Sequence, residues 1–322
     1  MRVTRRTLLR LAGSLAAAPV LPLAAQEWPS RPIRIVVGTA PGGSPDIISR
    51  VLGEKLGEKL GQSFVIENNT QGAGAVAQLT VARSSPDGYT MGMLTAGYPP
   101  QMVVRKPAYD PLDGFSFVTL VCGYPMVYAV APDSPIRSFQ DLLERAKASP
   151  GKLTYTINAI GSVYHVLTTW IGLEAGISLT PIPYRGTAPA LTDVLAGRVD
   201  VMVDAATSAF PRINSKQLRL LALSAPERYP LMPEAPIIAE TLPNVAFLSW
   251  LGLAMAPGTP QPIVERLNRE VRAALALPDV KQRLIEGGNV AIPSTPEEMR
   301  QKVAGDMARW RKVIDTAGIK VD

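Results

Sequence analysis

Two short loops rich in glycine and hydroxyl residues are the strongest candidates for chemistry in this sequence. The first is Thr39-Ala40-Pro41-Gly42-Gly43-Ser44, between a predicted strand and the next helix, and the second is Asn158-Ala159-Ile160-Gly161-Ser162, in an equivalent place. Ligands bind at the carboxyl ends of strands in open α/β sheets, and a helix start offers N–H groups with partial positive charge. The loops therefore predict a site that holds an anion without Arg or Lys. Ordinary strand-to-helix turns are the alternative.

A glycine pattern at residues 72–77 has a different explanation. Gly72-Ala73-Gly74-Ala75-Val76-Ala77 matches the dinucleotide fingerprint G-x-G-x-x-A, which needs an acid at the end of the following strand. That strand ends here with Leu94 and Thr95. We therefore expect these glycines to let a helix lie close to the sheet, and we predict no nucleotide cofactor.

The remaining reactive side chains support neither a metal site nor a hydrolase. His165 is the only histidine and Cys122 the only cysteine, which excludes a two-histidine metal site and an intrachain disulfide. A lone histidine is more often a structural residue than a base. Asp200 and Asp204 flank a predicted strand; we place Asp204 near the ligand site and Asp200 at a turn or surface. We predict no cofactor, no metal and no catalytic residue.

Alternating strands and helices position these loops. Predicted strands at 34–37, 64–66 and 89–94 alternate with helices at 44–61 and 72–84, which is typical of a parallel sheet covered by helices. The alternation begins again after residue 126, and capping signals at Thr259-Pro260 and Thr295-Pro296 predict C-terminal helices. The fold class is therefore α/β, with a mixed sheet flanked by helices in each of two domains.

The chain is predicted to cross between the two domains twice, which would leave a cleft between them. We assign residues 26–127 to the first part of domain I, residues 128–225 to domain II and residues 226–322 to the second part of domain I. Two crossings would act as a hinge about the cleft.

The N-terminus carries the features of an export signal. Basic residues, including the pair Arg5-Arg6, precede a short apolar run, and Leu23-Ala24-Ala25 ends the segment. We predict a signal peptide over residues 1–25, with a twin-arginine route favoured over the general one. The net charge of the whole chain is +6. The predicted signal peptide contains four arginines and no acidic residue, so the rest of the chain carries a net charge of only +2. A net charge this close to zero gives no electrostatic reason to expect binding to nucleic acid.

Many short motifs between Trp28 and the C-terminus resemble those of one protein family and follow one another in the same order. They are Trp28-Pro29-Ser30-Arg31-Pro32-Ile33, Pro41-Gly42-Gly43-Ser44-Pro45-Asp46, Ile66-Glu67-Asn68, Ser85-Pro86-Asp87-Gly88-Tyr89-Thr90, Pro150-Gly151-Lys152-Leu153-Thr154-Tyr155, Pro183-Tyr184-Arg185-Gly186-Thr187-Ala188-Pro189-Ala190, Asp200-Val201-Met202-Val203-Asp204, Ser249-Trp250-Leu251-Gly252 and Ala256-Pro257-Gly258-Thr259-Pro260. This set resembles the tripartite tricarboxylate transporter receptors, also called Bug-type extracytoplasmic solute receptors.

The resemblance implies a Venus-flytrap periplasmic binding protein that delivers a small carboxylate to an integral-membrane permease. It places the ligand carboxylate between the loops that map here to 39–46 and 158–165. The candidate ligand-binding residues are Thr39, Ala40, Pro41, Gly42, Gly43, Ser44, Asp46, Thr95, Asn158, Ala159, Ile160, Gly161, Ser162, His165, Tyr184 and Asp204. We expect a periplasmic monomer that is not an enzyme. An exported sensor of the same fold, or an exported enzyme, is the alternative.

Two departures from the family pattern concern the site. Gly38-Thr39 stands where the family usually has an aromatic residue and a proline, and Ile160, Val163 and Tyr164 interrupt a loop usually rich in Gly, Ser and Thr. We therefore expect a tighter or more apolar pocket. The identity of the ligand does not follow from the resemblance.

Overall fold

The computed structural model describes residues 28–105 and 107–320. The predicted signal peptide and its cleavage site near Ala25 lie outside the described residues.

A mixed sheet forms the first half of the molecule. Its strands are β1 (Ile33–Val37), β2 (Phe64–Asn68), β3 (Thr90–Thr95), β4 (Ser116–Tyr124), β10 (Ser249–Met255) and β11 (Val290–Ala291). Their spatial order is β11-β4-β10-β3-β1-β2. β1 pairs in parallel with β2 and β3, and β10 runs antiparallel between β3 and β4. The carboxyl ends of β1 and β3 therefore meet at one edge, where the first loop begins.

The second half contains β5 (Met126–Val130), β6 (Thr154–Ile157), β7 (Thr180–Pro183), β8 (Met202–Ala205) and β9 (Arg219–Leu223). β5 lies between β8 and β9, antiparallel to both, while β6 pairs in parallel with β7. Backbone hydrogen bonds from Thr156 to Val201 and from Val201 to Thr154 join β6 to the start of β8 in a parallel sense. β6, β7 and β8 therefore end at the same edge.

Helices cover the sheets of both halves. They are α1 (Ser44–Leu60), α2 (Ala75–Ala82), α3 (Tyr98–Val104), α4 (Phe139–Ala148), α5 (Val163–Ala175), α6 (Thr187–Leu195), α7 (Ala206–Asn214), α8 (Ile238–Thr241), α9 (Gln261–Ala276), α10 (Pro278–Glu286) and α11 (Pro296–Ala317). The predicted helix at 44–61 is confirmed as α1, whose side chains Ile48, Leu52, Leu56 and Leu60 are all buried.

The long helix α11 connects the two halves. Its start is the predicted capping box: the Glu298 N–H donates to the Thr295 hydroxyl, and the Thr295 N–H donates to the Glu298 carboxylate. The helix packs on α3 and β4 and also on α5 of the second half. There Trp310 contacts Trp170 edge to face, with ring centroids 6.0 Å apart.

The chain passes between the sheets at two places. Pro125 separates β4 of the first sheet from β5 of the second, and the return lies between β9 and β10. The segment before β10 packs on the second core through Tyr229 and Ile237. The assignment of residues 226–322 to domain I remains a prediction.

The glycines at residues 72 and 74 allow the close packing that the sequence suggested. Gly74 has φ +88°, and a Cβ on it would lie 2.9 Å from the Gly38 carbonyl oxygen. A Cβ on Gly38 would in turn lie 3.0 Å from the Gly74 Cα. The backbone before α2 thus lies directly against the end of β1. Across the described chain, no helix is both long and apolar enough to cross a membrane.

Candidate functional site

Two adjoining cavities lie between the edges of the two sheets, and together they form what we call the cleft. Their volumes are about 290 and 350 Å³. Thr39, Asn158, Tyr164, Thr187 and Asp204 line both cavities, so the two spaces are continuous along these side chains. Volumes of this size suit a small organic molecule.

Buried oxygen atoms without partners mark the wall of the cleft. The hydroxyls of Thr39, Ser44 and Ser162 and the Oδ2 atom of Asp204 are buried and have no hydrogen-bond partner among the described residues. All four residues line the same cavity. Buried polar groups normally have partners, because leaving one unsatisfied costs about 1–3 kcal/mol. Four such atoms around one space indicate a site for a polar ligand.

Four helices begin at this wall. α1 contributes Ser44, α5 contributes Ser162 at its N-cap, α6 contributes Thr187, and α7 contributes Thr207 and Ser208. Each follows a strand of the parallel sets or their continuation, which is why their starts converge at the sheet edges. The first turn of a helix has unpaired N–H groups and a partial positive charge. The helix starts therefore favour a negatively charged group in the cleft, although no Lys, Arg or His is among the described residues that line it.

The first loop is held by its own buried acid. Asp46 is buried and accepts a hydrogen bond from the Gly42 N–H at 2.9 Å, while Arg50 forms a salt bridge with it at 2.9 Å. Burial by itself raises the pKa of Asp46, but Arg50 and the Gly42 N–H outweigh that effect and leave the pKa lowered. The Asn68 amide also donates to the Thr39 carbonyl. Asp46 thus shapes the loop and does not line the cleft.

The second loop is held by the single histidine. The Gly161 N–H donates to His165 Nδ1 at 3.1 Å, which requires that nitrogen to be unprotonated. Gly161 itself has φ +77°, a conformation that favours glycine. His165 lines a different cavity, beside Thr168 and Gly172 on another face of α5. The histidine therefore acts through the shape of the loop.

We expect this histidine to make stability depend on pH. Burial lowers its pKa from the ordinary value of 6.5, so its contribution is complete above about pH 6.5 and is lost as the pH falls toward the lowered value. His165→Asn retains an acceptor for Gly161 but does not titrate. Urea unfolding at pH 7.5 and pH 5.5 should show a smaller loss of stability in the variant than in the original chain. Equal losses in the two proteins would contradict this role.

Asp204 is the only acidic residue on the wall among the described residues. It lies at the carboxyl end of β8, is 4% exposed, and accepts hydrogen bonds at Oδ1 from the Ala205 N–H at 2.8 Å and the Tyr164 hydroxyl at 3.3 Å. Burial raises its pKa, an effect that the Ala205 N–H, Thr187, Tyr164 and more distant Arg212 oppose without cancelling.

The structure brings half of the predicted site residues to the wall of the cleft. These are Thr39, Ser44, Thr95, Asn158, Ala159, Ser162, Tyr184 and Asp204. The others support the loops or face solvent: Ala40, Pro41, Gly42, Gly43, Asp46, Ile160, Gly161 and His165. The Gly43 and Gly161 N–H groups donate to Ala40 and His165, so these glycines act on the shape of the loops.

Several wall residues were absent from the prediction. The structure adds the following residues to the wall of the cleft: Gly97, Gln101, Tyr124, Tyr164, Thr187, Ala205, Thr207, Ser208 and Ser249. Thr207 and Ser208 follow β8 directly, so the rule that located the other two loops would also have found them, had a helix been predicted after Asp204. Tyr124 and Ser249 reach the cleft only because β4 and β10 are neighbours in the sheet, which the sequence does not indicate.

Tyr184 and Arg185, from one family motif, place no cation on the wall of the cleft. The Tyr184 hydroxyl donates to Asp193 at 2.6 Å, and Asp193 forms a salt bridge with Arg198 at 2.5 Å. Arg185 is exposed and lies outside both linings. No arginine is therefore among the described residues that line the cleft.

The fold and the cleft together define a periplasmic binding protein of the Venus-flytrap kind. The chain is similar to the solved structure of the periplasmic binding protein BugD, with 31% identity and a TM-score of 0.79 over 91% of this chain and 99% of the other. The predicted fold class is therefore confirmed.

The chain belongs to the tripartite tricarboxylate transporter receptor family. The family model, described as "TctC: Tripartite tricarboxylate transporter family receptor", matches residues 48–319. Rpa4515 of R. palustris, solved with adipate, is 34% identical, with a TM-score of 0.82 over 91% of this chain and 99% of that one. MatC from Rhodopseudomonas palustris, solved with bound malate, is 29% identical, with a TM-score of 0.78 over 89% and 100%. The predicted family resemblance is confirmed.

Proposed function

We propose that this protein is a periplasmic receptor that captures a small carboxylate in the cleft and delivers it to an integral-membrane permease. The observation that carries the proposal is the cluster of three unpartnered buried hydroxyls, those of Thr39, Ser44 and Ser162, on a wall where four helices begin. Hydroxyls and helix starts donate hydrogen bonds, and a carboxylate accepts several at once. The relatives solved with adipate and malate support the same class of ligand.

Membership of a receptor family supports capture over catalysis. The polar groups of the wall also favour this reading, because a hydrolase would need a nucleophile beside a base. The one histidine bonds Gly161 and lines a different cavity. Periplasmic location, a monomeric state and the permease partner remain proposals that rest on the family.

Binding of adipate tests the proposal directly. Titration calorimetry with the purified chain should give a dissociation constant near 1 μM, which corresponds to about −8 kcal/mol. Adipamide, which has the same carbon chain but no charge, should bind at least 100-fold more weakly, because the wall donates far more hydrogen bonds than it accepts. Malate, succinate and glutarate complete the panel, since the length of the cleft sets the preferred spacing of the carboxylates.

The controls separate a wrong ligand from a wrong function. A thermal-shift measurement with each acid should raise the melting temperature wherever calorimetry detects binding, because a ligand at 1,000 times its dissociation constant adds about 4 kcal/mol. Absence of binding by every acid of the panel at millimolar concentration, in a folded protein, would overturn the proposal. Equal binding of adipate and adipamide would do the same.

A further inference from the structure

The wall of the proposed anion site contains an acidic side chain, Asp204. Two negative charges would repel each other there if both the side chain and the ligand were ionised. Asp204 lines the cavity, and its Oδ2 atom is buried and has no hydrogen-bond partner among the described residues. No basic side chain is present among the described residues of the lining. An ionised Asp204 and an ionised ligand would therefore lie in one poorly solvated space with only main-chain dipoles and hydroxyls between them. Like charges in such a site strongly disfavour double ionisation.

The hydrogen bonds of Asp204 show which oxygen is available. Ala205 N–H and Tyr164 O–H both donate to Oδ1, so this oxygen acts as an acceptor whether the group is charged or neutral. A neutral carboxyl would keep those two bonds and carry its proton on Oδ2. The hydroxyl formed in this way would belong to a residue that lines the space that the ligand enters.

We propose, resting on the proposed function, that Asp204 is a specificity-determining residue that binds the ligand carboxylate as a protonated carboxyl group, donating a hydrogen bond from Oδ2. Each ligand molecule therefore enters the cleft together with one proton from solvent. The proton bonds to Oδ2 of Asp204, and no other covalent bond is made or broken. The site selects anions that tolerate a neutral acid beside them, and it disfavours ligands that present an ammonium group there.

The groups that face Asp204 add no second negative charge to this part of the cleft. Tyr164 of α5 and Tyr124 of β4 face it, and burial raises the pKa of Tyr124 to about 12 and that of Tyr164 well above its usual value. Thr187 of α6 does not titrate, and Arg212 of α7 remains a cation. Burial raises the pKa of Asp204 in the free protein, and a bound carboxylate would raise it further.

Calorimetry of adipate binding between pH 6 and 8 tests the inference. Both adipate carboxylates are ionised throughout this range. Binding that takes up a proton weakens by up to tenfold per pH unit above the pKa of the free group, so we expect at least a tenfold loss of affinity between pH 6 and pH 8. Titrations at pH 8 in phosphate and in Tris, whose ionisation enthalpies differ, should report close to one proton taken up per ligand.

Asp204→Asn provides a sharper result because it predicts a gain. The amide can accept from Ala205 and Tyr164 and donate to the ligand, yet it carries no charge at any of these pH values. The variant should bind adipate with the same affinity at pH 6 and pH 8 and without proton uptake, so that at pH 8 it binds at least tenfold more tightly than the original chain. Asp133→Asn, a change at an exposed aspartate, should leave the pH dependence unchanged.

Each outcome decides the matter. Tight adipate binding that is independent of pH and takes up no proton overturns the inference and leaves the proposed function standing. L-Aspartate binding more tightly than adipate, with loss of that preference in Asp204→Asn, also overturns it, because it shows an ionised Asp204 paired with an ammonium group. No binding of any acid from pH 5.5 to pH 8 is instead a failure of the proposed function. The proton-uptake measurement on the original chain decides even if the variant does not fold.

Discussion

Replacing both Ser44 and Ser162 by alanine should weaken carboxylate binding on the order of 100-fold. The two hydroxyls are buried, lie at the starts of α1 and α5, and have no partner among the described residues. A hydrogen bond to a charged group contributes about 1.5–3 kcal/mol. Some of this is recovered by water in the variant, and we expect about 1.4 kcal/mol from each serine, or tenfold each. Some affinity should remain, since the helix starts are unchanged.

Arg185→Gln is the matched comparison. Arg185 is the basic residue of the family motif at 183–190 and follows Tyr184, which lines the cleft. Arg185 itself is exposed and does not line either cavity. Its replacement should change the affinity less than threefold. Calorimetry of the three proteins with adipate under one buffer condition measures both effects. Loss of binding in Arg185→Gln, together with intact binding in the double serine variant, would show an ion-pair pocket in place of recognition by hydroxyls and main-chain N–H groups.

Removal of the Asp306 carboxylate should cost about 3 kcal/mol of stability. Asp306 lies on α11, is 1% exposed, and accepts hydrogen bonds from the Trp250 indole at 2.9 Å, from Lys302 at 2.8 Å and from Arg309 at 2.6 Å. Asp306→Ala leaves two cations without their shared partner and the buried indole N–H unsatisfied. Such losses cost about 3–5 kcal/mol when the remaining charge is fully buried, and we expect the lower end because both cations are about one-third exposed.

Urea unfolding followed by tryptophan fluorescence measures this cost. Lys302→Met keeps the aliphatic contact and leaves Arg309 to balance Asp306, so it should lose less than 1 kcal/mol. Asp133→Ala, at an exposed position, should lie within about 0.5 kcal/mol of the original chain. A cost below 1 kcal/mol for Asp306→Ala would mean that the cluster contributes little to holding α11 on β10.

The elements nearest the site were largely predictable because they carry strong local signals. The strand at 34–37 and the helix beginning at Ser44 were placed correctly, since a short apolar run and the helical pattern that follows it specify them locally. The helix α7 was not predicted. Its nine residues include Pro211, and its position depends on packing against β5 and β8, which local propensity does not capture.

The site was predictable as far as strand ends determine it. Ser44 and Ser162 were identified because each precedes a helix after a glycine-containing loop, and the structure brings both to one cavity. Tyr124 and Ser249 could not be identified, because they meet at the cleft only through the pairing of β4 with β10, 125 positions apart in the chain. Non-local strand pairing is set by the global topology, and one sequence does not reveal it.

The convergence of four helix starts on the cleft also determines how this protein can change. In the proposed function, main-chain N–H groups at these helix starts contribute to the attraction for an acid, and no single substitution removes a main-chain N–H group except replacement by proline. Residues that contact the rest of the ligand can therefore vary in size and polarity while the carboxylate end stays bound. If the proposed function holds, the preferred acid can therefore change by single substitutions while the groups that hold the carboxylate stay in place.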